Sequence, residues 1–589
     1  MKNPLKGRTT RRATGAMAAL ASIALVAACG SSLSPSSSAT TSTTGSTTTT
    51  SSSTSSTTTA GTSTDSTSTE VSSSETEASA TAWTSISSAV AEASTGASTA
   101  DILAANADTS EAVSAATEED TAGTYDASSA TTITASGSSV EVSGAYADAV
   151  SVDGTTVTIT GAGTFVLTGT LDDGQIIVNA PDAEVRLVAD DVSITNADGP
   201  AIDIQDAGTA VFVLAEGSTN TLTDGATYAD TSEEAATATL FSSDTLTIAG
   251  TGSLDVTGSA NDAISSKNGL AIVGDPTITV NAVDDGIRGK DYLLVDGGTL
   301  TVTAGGDGLK ASEDTDETQG FVALGEASVT ITAGDDGVAA VTDVTVDGTT
   351  LTVTAGGGQA NAVVTEEAAP GQQSTTEDTS DTTASPKGIN AGVSYTQNSG
   401  TVVLDTADEG LQAPFVNVGG GALSVTSGDD GINASNGDFT IEGYENADSE
   451  SDDGSVLTIS GGAVQVDYAA SDGIDSNGSA FVTGGQVVVG GSAGSMDGAI
   501  DANGETTLVG VTGDPSVSAG DTITVTSADG DSWELTSIIS ADYMTVLGLT
   551  EGTEYTVETT SGGSATGTAS ALSTGRMGGA MGGGQPPQG

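Results

Sequence analysis

The chain has 589 residues, 79 of them acidic, 12 basic and none histidine, for a formal net charge of −67. That balance makes nucleic acid a very poor partner, and one Cys without any His removes intrachain disulfides, the usual zinc sites and imidazole acid–base chemistry together. With 78 Gly and 3% aromatic residues, the composition describes β-structure rich in turns and not a set of ordinary globular domains.

Residues 1–29 open with Lys2, Lys6, Arg8, Arg11 and Arg12, followed by a small apolar run from Gly15 to Ala28. The run is too short to span a bilayer and has the shape of a secretory signal. Val26-Ala-Ala-Cys29 resembles a bacterial lipobox, so Cys29 is the expected lipidation site and the mature protein is expected to be extracellular, held at the cell membrane by its lipid anchor. From 30 to 122 the chain is almost entirely Ser, Thr, Ala and Gly with scattered acids. Such a segment cannot bury enough apolar surface to offset chain entropy, and it reads as a disordered Ser/Thr-rich stalk.

Order is expected from 123 to 510. Short alternating β-branched segments such as Val157 to Thr160, Gln175 to Asn179 and Ala210 to Leu214 are separated by Gly, Asp and Asn turns, with no helical stretch between them. The fold class is therefore all-β. An acidic turn then keeps returning, each time closed by an apolar residue, and its spacing selects among all-β architectures. Ile264 to Ile287 is 23 residues, Ile287 to Leu309 is 22, Leu309 to Val338 is 29, and, beyond a long insert, Ile389 to Leu411 is 22, Leu411 to Ile432 is 21, and Ile432 to Ile474 is 42, or twice 21. This period predicts a parallel β-helix, a solenoid with one acidic turn per coil, in which the recurring glycine pairs Gly297-Gly298, Gly420-Gly421, Gly461-Gly462 and Gly484-Gly485 take left-handed corners and alternate Val, Ile and Leu fill the interior. Residues 358–386 break the period as an acidic insert loop. Residues 511–572 carry a few more strands, expected as a small C-terminal β cap over the open end, and 573–589 form a Gly/Pro tail.

Equivalent residues of successive coils sit about 4.8 Å apart, so the turn carboxylates Asp284, Asp285, Asp307, Asp335, Asp336, Asp429, Asp430, Asp472 and Asp475 are expected to form columns, joined by Asn477. Stacked like charges call for a counter-ion, and calcium, which takes six to eight oxygens, suits tight Asp-Gly turns. Seven basic residues lie beyond the signal, and Lys267, Arg288, Lys290 and Lys310 follow the acidic turn in three consecutive coils. They are candidates either to neutralise the columns or to contact carboxylates of an acidic polysaccharide. Few bases and no His favour binding over catalysis. A lyase using Arg288, Lys290 or Lys310 as base and a purely structural adhesin stay open as alternatives.

Gly217-Ser-Thr-Asn-Thr-Leu-Thr-Asp-Gly225, Gly250-Thr-Gly-Ser-Leu-Asp-Val256, the Asp-Asp-Gly-Ile turns, Ser385-Pro-Lys-Gly-Ile389 and Asp472-Gly-Ile-Asp-Ser-Asn-Gly478 give the segment from about Thr156 to Gly504 its likeness. It resembles secreted bacterial carbohydrate-binding domain-containing proteins with a pectate-lyase-like right-handed parallel β-helix. The resemblance implies a protein that binds acidic plant-type polysaccharide or cellulose in a calcium-dependent way, without a need for catalysis, and the chain is separately expected to be a monomer. Ser495-Met-Asp-Gly-Ala-Ile-Asp501 lacks the aromatic residue expected near that turn.

Overall fold

The computed structural model describes residues 114–574, apart from 233–234, 317, 363–384, 437–440, 442, 445–446, 448–450, 492–497, 514 and 573. The expected signal segment with Cys29, the segment expected as stalk up to residue 113, most of the expected acidic insert and nearly all of the Gly/Pro tail lie outside these residues. Among the described residues regular structure is almost all strand, the exceptions being a helical turn Glu118–Thr121 and two 3-10 turns, Ala147–Ala149 and Gln359–Asn361. The helical turn falls within the segment expected as stalk. It forms because Thr117 and Asp120 cap each other reciprocally, and Arg186 Nε then holds the Asp120 carboxylate at 3.1 Å.

The strands fall into three parallel ladders. One stacks the short strands Asp262–Ser266, Ile287–Gly289, Leu309–Ala311, Val338–Ala340, Ile389–Ala391, Leu411–Gln412, Ile432–Ala434 and Ile474–Ser476. A second contains Phe321–Leu324, Asp343–Val346, Ser394–Gln397, Phe415–Val418, Val456–Ile459 and Ser479–Val482. The third contains Ser328–Ala333, Thr350–Ala355, Thr401–Thr406, Ala422–Ser427, Ala463–Tyr468 and Gln486–Gly491. Thr350–Ala355 shows the period that builds such a ladder: Leu351, Val353 and Ala355 are buried while Thr350 and Thr352 are exposed. Nearer the start, Gln175–Thr195 and Leu270–Ala282 pass through a corner and pair on both sides of it. The pairing there closes a parallel ring of six strands: 175–195, 202–214, 246–250, 270–282, 253–258 and 219–223.

One apolar column threads the first ladder. Ile264, Ile287, Leu309, Val338, Ile389, Leu411, Ile432 and Ile474 stack in register, and Ile500 continues the column through an isolated bridge. One expectation changes here. Ile432 pairs directly with Ile474, so the 42-residue interval is one repeat carrying an excursion and not two repeats. The excursion between Ala434 and Val456 anchors itself by burying Ile441 in a satellite cluster with Val393, Phe415 and Val456, which leaves the register of the ladder intact. The left-handed corners expected at the Gly-Gly steps are found at Gly298, Gly421, Gly462 and Gly485, whereas the glycines of the acidic turns, Gly286, Gly308, Gly337, Gly388, Gly410, Gly431 and Gly473, are absent from such positions. They are required for another reason: a Cβ on Gly431 would lie 2.2 Å from Val466 Cγ1 and 2.4 Å from the Gly473 carbonyl oxygen, and the others meet similar obstacles.

At the far end Met544–Leu547 pairs antiparallel with Gln486–Gly491 and covers the last rung of the third ladder. A separate four-stranded antiparallel sheet, Ser532–Thr536, Thr522–Ser527, Glu554–Thr559 and Ser564–Thr568, packs around its own apolar cluster of Ile523, Val525, Ile539 and Val557. Gln465 ties this region to the ladders by donating to Thr536 O at 3.0 Å and accepting from Ile538 N at 3.2 Å.

Candidate functional site

The acidic turn places two side-chain columns beside each other. Two residues before each stacked apolar residue stand Asp262, Asp285, Asp307, Asp336, Lys387, Glu409, Asp430 and Asp472; one residue after it stand Ser265, Arg288, Lys310, Ala339, Asn390, Gln412, Asn433 and Asp475. The bridge between Ile474 and Ile500 adds Asp501 as the next member of the second column.

The turn carboxylates do more than face solvent. Asp307 N donates to Asp285 Oδ1 at 3.1 Å, Asp336 N to Asp307 Oδ1 at 3.0 Å, Lys387 N to Asp336 Oδ1 at 2.8 Å, and Asp472 N to Asp430 Oδ1 at 2.8 Å. One oxygen of each of these carboxylates thus links its turn to the next, a job for a short acidic side chain.

The other oxygen meets the second column, whose chemistry changes along the stack. In the early repeats the partner is a cation: Lys310 Nζ lies 2.7 Å from Asp307 Oδ2 and 3.0 Å from Asp285 Oδ2, and Arg288 lies 3.9 Å from Asp262 and 4.0 Å from Asp285. In the middle it is an amide: Asn390 Nδ2 donates to Asp336 Oδ2 at 2.9 Å, and Asn433 Nδ2 to Glu409 Oε1 at 3.0 Å. In the last repeats it is another carboxylate, for Asp475 follows Asp430 and Asp501 follows Asp472. Oxygens of Asp472, Asp475 and Asp501 lie within 4.8 Å of one another. Between Lys387 and Arg576 the sequence holds no Lys or Arg.

Burial raises the carboxyl proton affinities along the whole column, and what changes along it is the neighbouring charge. Burial pushes the Asp475 carboxyl up to about 7, with Asp501 and then Glu409 adding repulsion. Burial also holds Asp430 well above the ordinary range, with Asp475 and Glu409 adding to it. Burial raises Asp307 too, opposed by Lys310, and pushes Asp336 to about 7 against the pull of Asn390. Asn433 Oδ1 is buried and accepts no hydrogen bond, while Glu409 Oε2, also buried, has the Lys387 ammonium at 3.7 Å. An oxygen-only cluster of this kind, rich in carboxylates and poor in donors, fits a hard divalent cation such as calcium. The other acidic triad, Asp307, Asp335 and Asp336, lies within the same 4.8 Å but already has Lys310 and Asn390 as partners.

The remaining candidates fall elsewhere. Asp284 is exposed and Asp335 and Asp429 are half-buried, the outer members of their turns; Ser471 Oγ donates to Asp429. Asn477 lies past the end of its strand at the next corner, where Asn503 Nδ2 reaches its Oδ1 at 3.5 Å. Of the four cationic candidates, only Arg288 and Lys310 stand in the column. Lys267 lies over the Phe241 ring at 5.8 Å, and Lys290 pairs with Glu313. Sequence reasoning missed Asp501, Glu409 and Asn433. The signal for Asp501 was present, since Ala499-Ile-Asp501 repeats the Gly473-Ile-Asp475 pattern one repeat on.

Asp262 offers a local test of these electrostatics. It is fully buried, neither of its oxygens accepts a hydrogen bond, and burial followed by Asp285 pushes its carboxyl to about 7. A carboxyl raised on folding stabilises the folded chain below its unfolded value, and that contribution is lost as pH rises from about 4 to about 7. Asp262→Asn is therefore expected to be more stable than the parent at pH 8, on the order of 2 kcal/mol, with the gap closing toward pH 4. Urea midpoints at both pH values measure it, and an equal difference at both would contradict the assignment.

Residues 153–431 match the model of a family described as carbohydrate-binding domain-containing protein. A carbohydrate-binding domain-containing protein from Acetivibrio thermocellus is 38% identical over 138 residues, which is 23% of this chain and 48% of that protein. The chain thus spans about half the length of the curated relative it matches. Among solved structures, the gadolinium derivative of a polysaccharide lyase-like protein from C. thermocellum is 32% identical, covering 38% of this chain and 92% of that one with a TM-score of 0.36. Asp475, Asp501 and the C-terminal sheet lie beyond the matched segment, and what the match establishes is a likeness, over residues 153–431, to carbohydrate-binding domain-containing proteins.

Proposed function

We propose that this chain is a non-catalytic cell-surface lipoprotein whose three ladders are the faces of a right-handed parallel β-helix, and that it binds polysaccharide, acidic or plant-type, with the help of calcium. One observation carries the calcium reading: the column beside the turn carboxylates passes from Arg288 and Lys310 through Asn390 and Asn433 to Asp475 and Asp501, so the last rungs gather acids where earlier rungs supply donors. Asp430, Asp472, Asp475 and Asp501 would hold the ion, with Glu409 and Asn433 alongside. Calcium bound there would neutralise the repulsion and offer coordination positions to a sugar carboxylate.

The likeness to carbohydrate-binding proteins supports the ligand class. A lyase reading requires an unprotonated base beside the acids. Lys310, however, is held protonated, its burial outweighed by hydrogen bonding and attraction from Asp307 and Asp285. The test is retention of the full chain on immobilised polygalacturonate with calcium and with EDTA, together with ultraviolet detection of unsaturated products. Calcium-dependent retention without product is expected. Product formation would make it a lyase, and no retention under either condition would leave calcium a purely structural part.

A further inference from the structure

The corner between the second and third ladders has a different character from the acidic turn. Gly298, inside the strand Tyr292–Ala304 whose second half pairs with Ser328–Ala333, and Gly400, Gly421, Gly462 and Gly485, each just before a strand of the third ladder, hold φ between 73° and 84°. At these left-handed positions glycine is the residue without steric cost, so the corner is a strip of bare backbone at five of its seven rungs, with Ala327 and Thr349 holding the equivalent place in the other two. Along it runs an open cleft of about 2190 Å³, whose opposite wall comes from the C-terminal sheet. From the rung of Thr299 to that of Gln486 are six steps, roughly 29 Å at about 4.8 Å per rung.

Two aromatic residues stand on that wall. Trp533 pairs across the sheet with Val525, and Tyr555 with Ser527. Tyr555 shares a face with buried Val557, and both rings are half-buried at the rim of the apolar cluster while lining the cleft. The only other Trp of the chain is Trp83, in the stalk segment.

The charged side chains of the cleft are all acidic: Asp275, Asp296, Glu326, Asp347, Asp529 and Asp531. Such a lining repels uronates and phosphates. The strip offers no free sheet edge to a peptide, because its backbone groups bond rung to rung: Ala422 N to Gly400 O at 2.9 Å, Ala463 N to Gly421 O at 2.9 Å and Gln486 N to Gly462 O at 2.8 Å. What remains are acceptors for hydroxyl groups and flat aromatic faces for the C–H side of a ring.

We propose that the cleft between the glycine strip and the C-terminal sheet binds one extended, uncharged glycan chain, stacked on Trp533 and Tyr555, independently of calcium. This rests on the reading of the protein as a polysaccharide binder but uses a different face and ligand charge from the acidic columns.

The test uses the full chain carrying Trp83→Phe, so that Trp533 is its one indole, titrated with neutral cello-, xylo- and manno-oligosaccharides while fluorescence is followed. A saturable change with at least one of them, unaltered by EDTA, is expected. Trp533→Ala is expected to weaken retention on the matching neutral polysaccharide by at least about tenfold, while Trp533→Phe keeps most of it. No fluorescence response to any neutral sugar overturns the proposal, even if Trp533→Ala fails to fold. So does a response to a Lys-rich peptide alone, which would make the cleft a basic-peptide groove. Because polygalacturonate retention with calcium is read separately, neutral binding can persist where that fails, and the reverse.

Discussion

Gly431→Ala is expected to destabilise the protein by about 3 kcal/mol or more, although Gly431 has ordinary backbone angles and the change adds one methyl group. The methyl would lie 2.2 Å from Val466 Cγ1, inside the stack, and 2.4 Å from the Gly473 carbonyl oxygen of the next turn. Neither neighbour is a flexible side-chain end: Val466 is fully buried, and the Gly473 carbonyl accepts the Ile432 N–H at 3.1 Å. Relief therefore requires separating two rungs. Gly217 is the comparison, with φ of 74° and nothing within 4 Å of an added Cβ. Gly217→Ala pays only the left-handed backbone penalty, about 1–2 kcal/mol. Urea unfolding of the two variants against the parent measures the difference. Equal costs would mean that the acidic-turn glycines serve conformation and not close packing.

The second large effect concerns the acid-rich end of the column. Asp475→Ala and Asp501→Ala are each expected to abolish most of the thermal stabilisation given by calcium, which for the parent should reach about 2.7 kcal/mol at a hundredfold excess over Kd. The pH dependence has a definite sign. Without the ion, burial, Asp501 and Glu409 raise the Asp475 carboxyl from 3.8 to about 7, so the folded state holds an extra proton over that interval. The contribution of Asp475 to the stability of the calcium-free chain is then greatest at the acid side and is lost as pH climbs from about 4 to about 7. Calcium needs the deprotonated carboxylates, so its stabilising effect should grow over the same interval and be larger at pH 8 than at pH 5. Differential scanning calorimetry with calcium and with EDTA at both pH values decides this. A calcium shift unchanged in both variants, or larger at pH 5, would remove the cluster from consideration as the ion's site.

Much of the first ladder was legible because it is periodic. The apolar residue closing each acidic turn recurs every 21 to 23 residues in most repeats, and these residues do stack: Ile264 on Ile287 on Leu309, and Ile389 on Leu411 on Ile432. Periodicity misled at Ile474, where an excursion happens to equal a repeat in length; only pairing distinguishes one long repeat from two. The role of the turn residues was less visible. Asp and Gly are both common turn formers, and nothing in Asp430-Gly431-Ile432 tells that the carboxylate accepts the next turn's amide or that the glycine sits against a buried valine. Lys267 and Lys290 were grouped with Arg288 and Lys310 by nearness in sequence. An offset of two residues at a corner turns a side chain toward Phe241 or Glu313 instead. Trp533 could not be placed against the glycine strip from sequence, because the C-terminal sheet reaches it through a contact between distant segments.

The three ladders differ in what they allow the chain to acquire. The extra lengths in this protein, 313–320, 356–388 and 435–455, leave at the corners flanking the short first ladder, whereas the strip from Gly298 to Gly485 carries none. A bond between neighbouring rungs is indifferent to how many residues intervene, so a corner can host a new loop while the register beneath it stays fixed. One edge of the protein is thus free to diversify and the opposite edge is held smooth. Engineered insertions should follow the same division, with added segments accommodated beside Ala311 or Ala434 and excluded from the glycine edge.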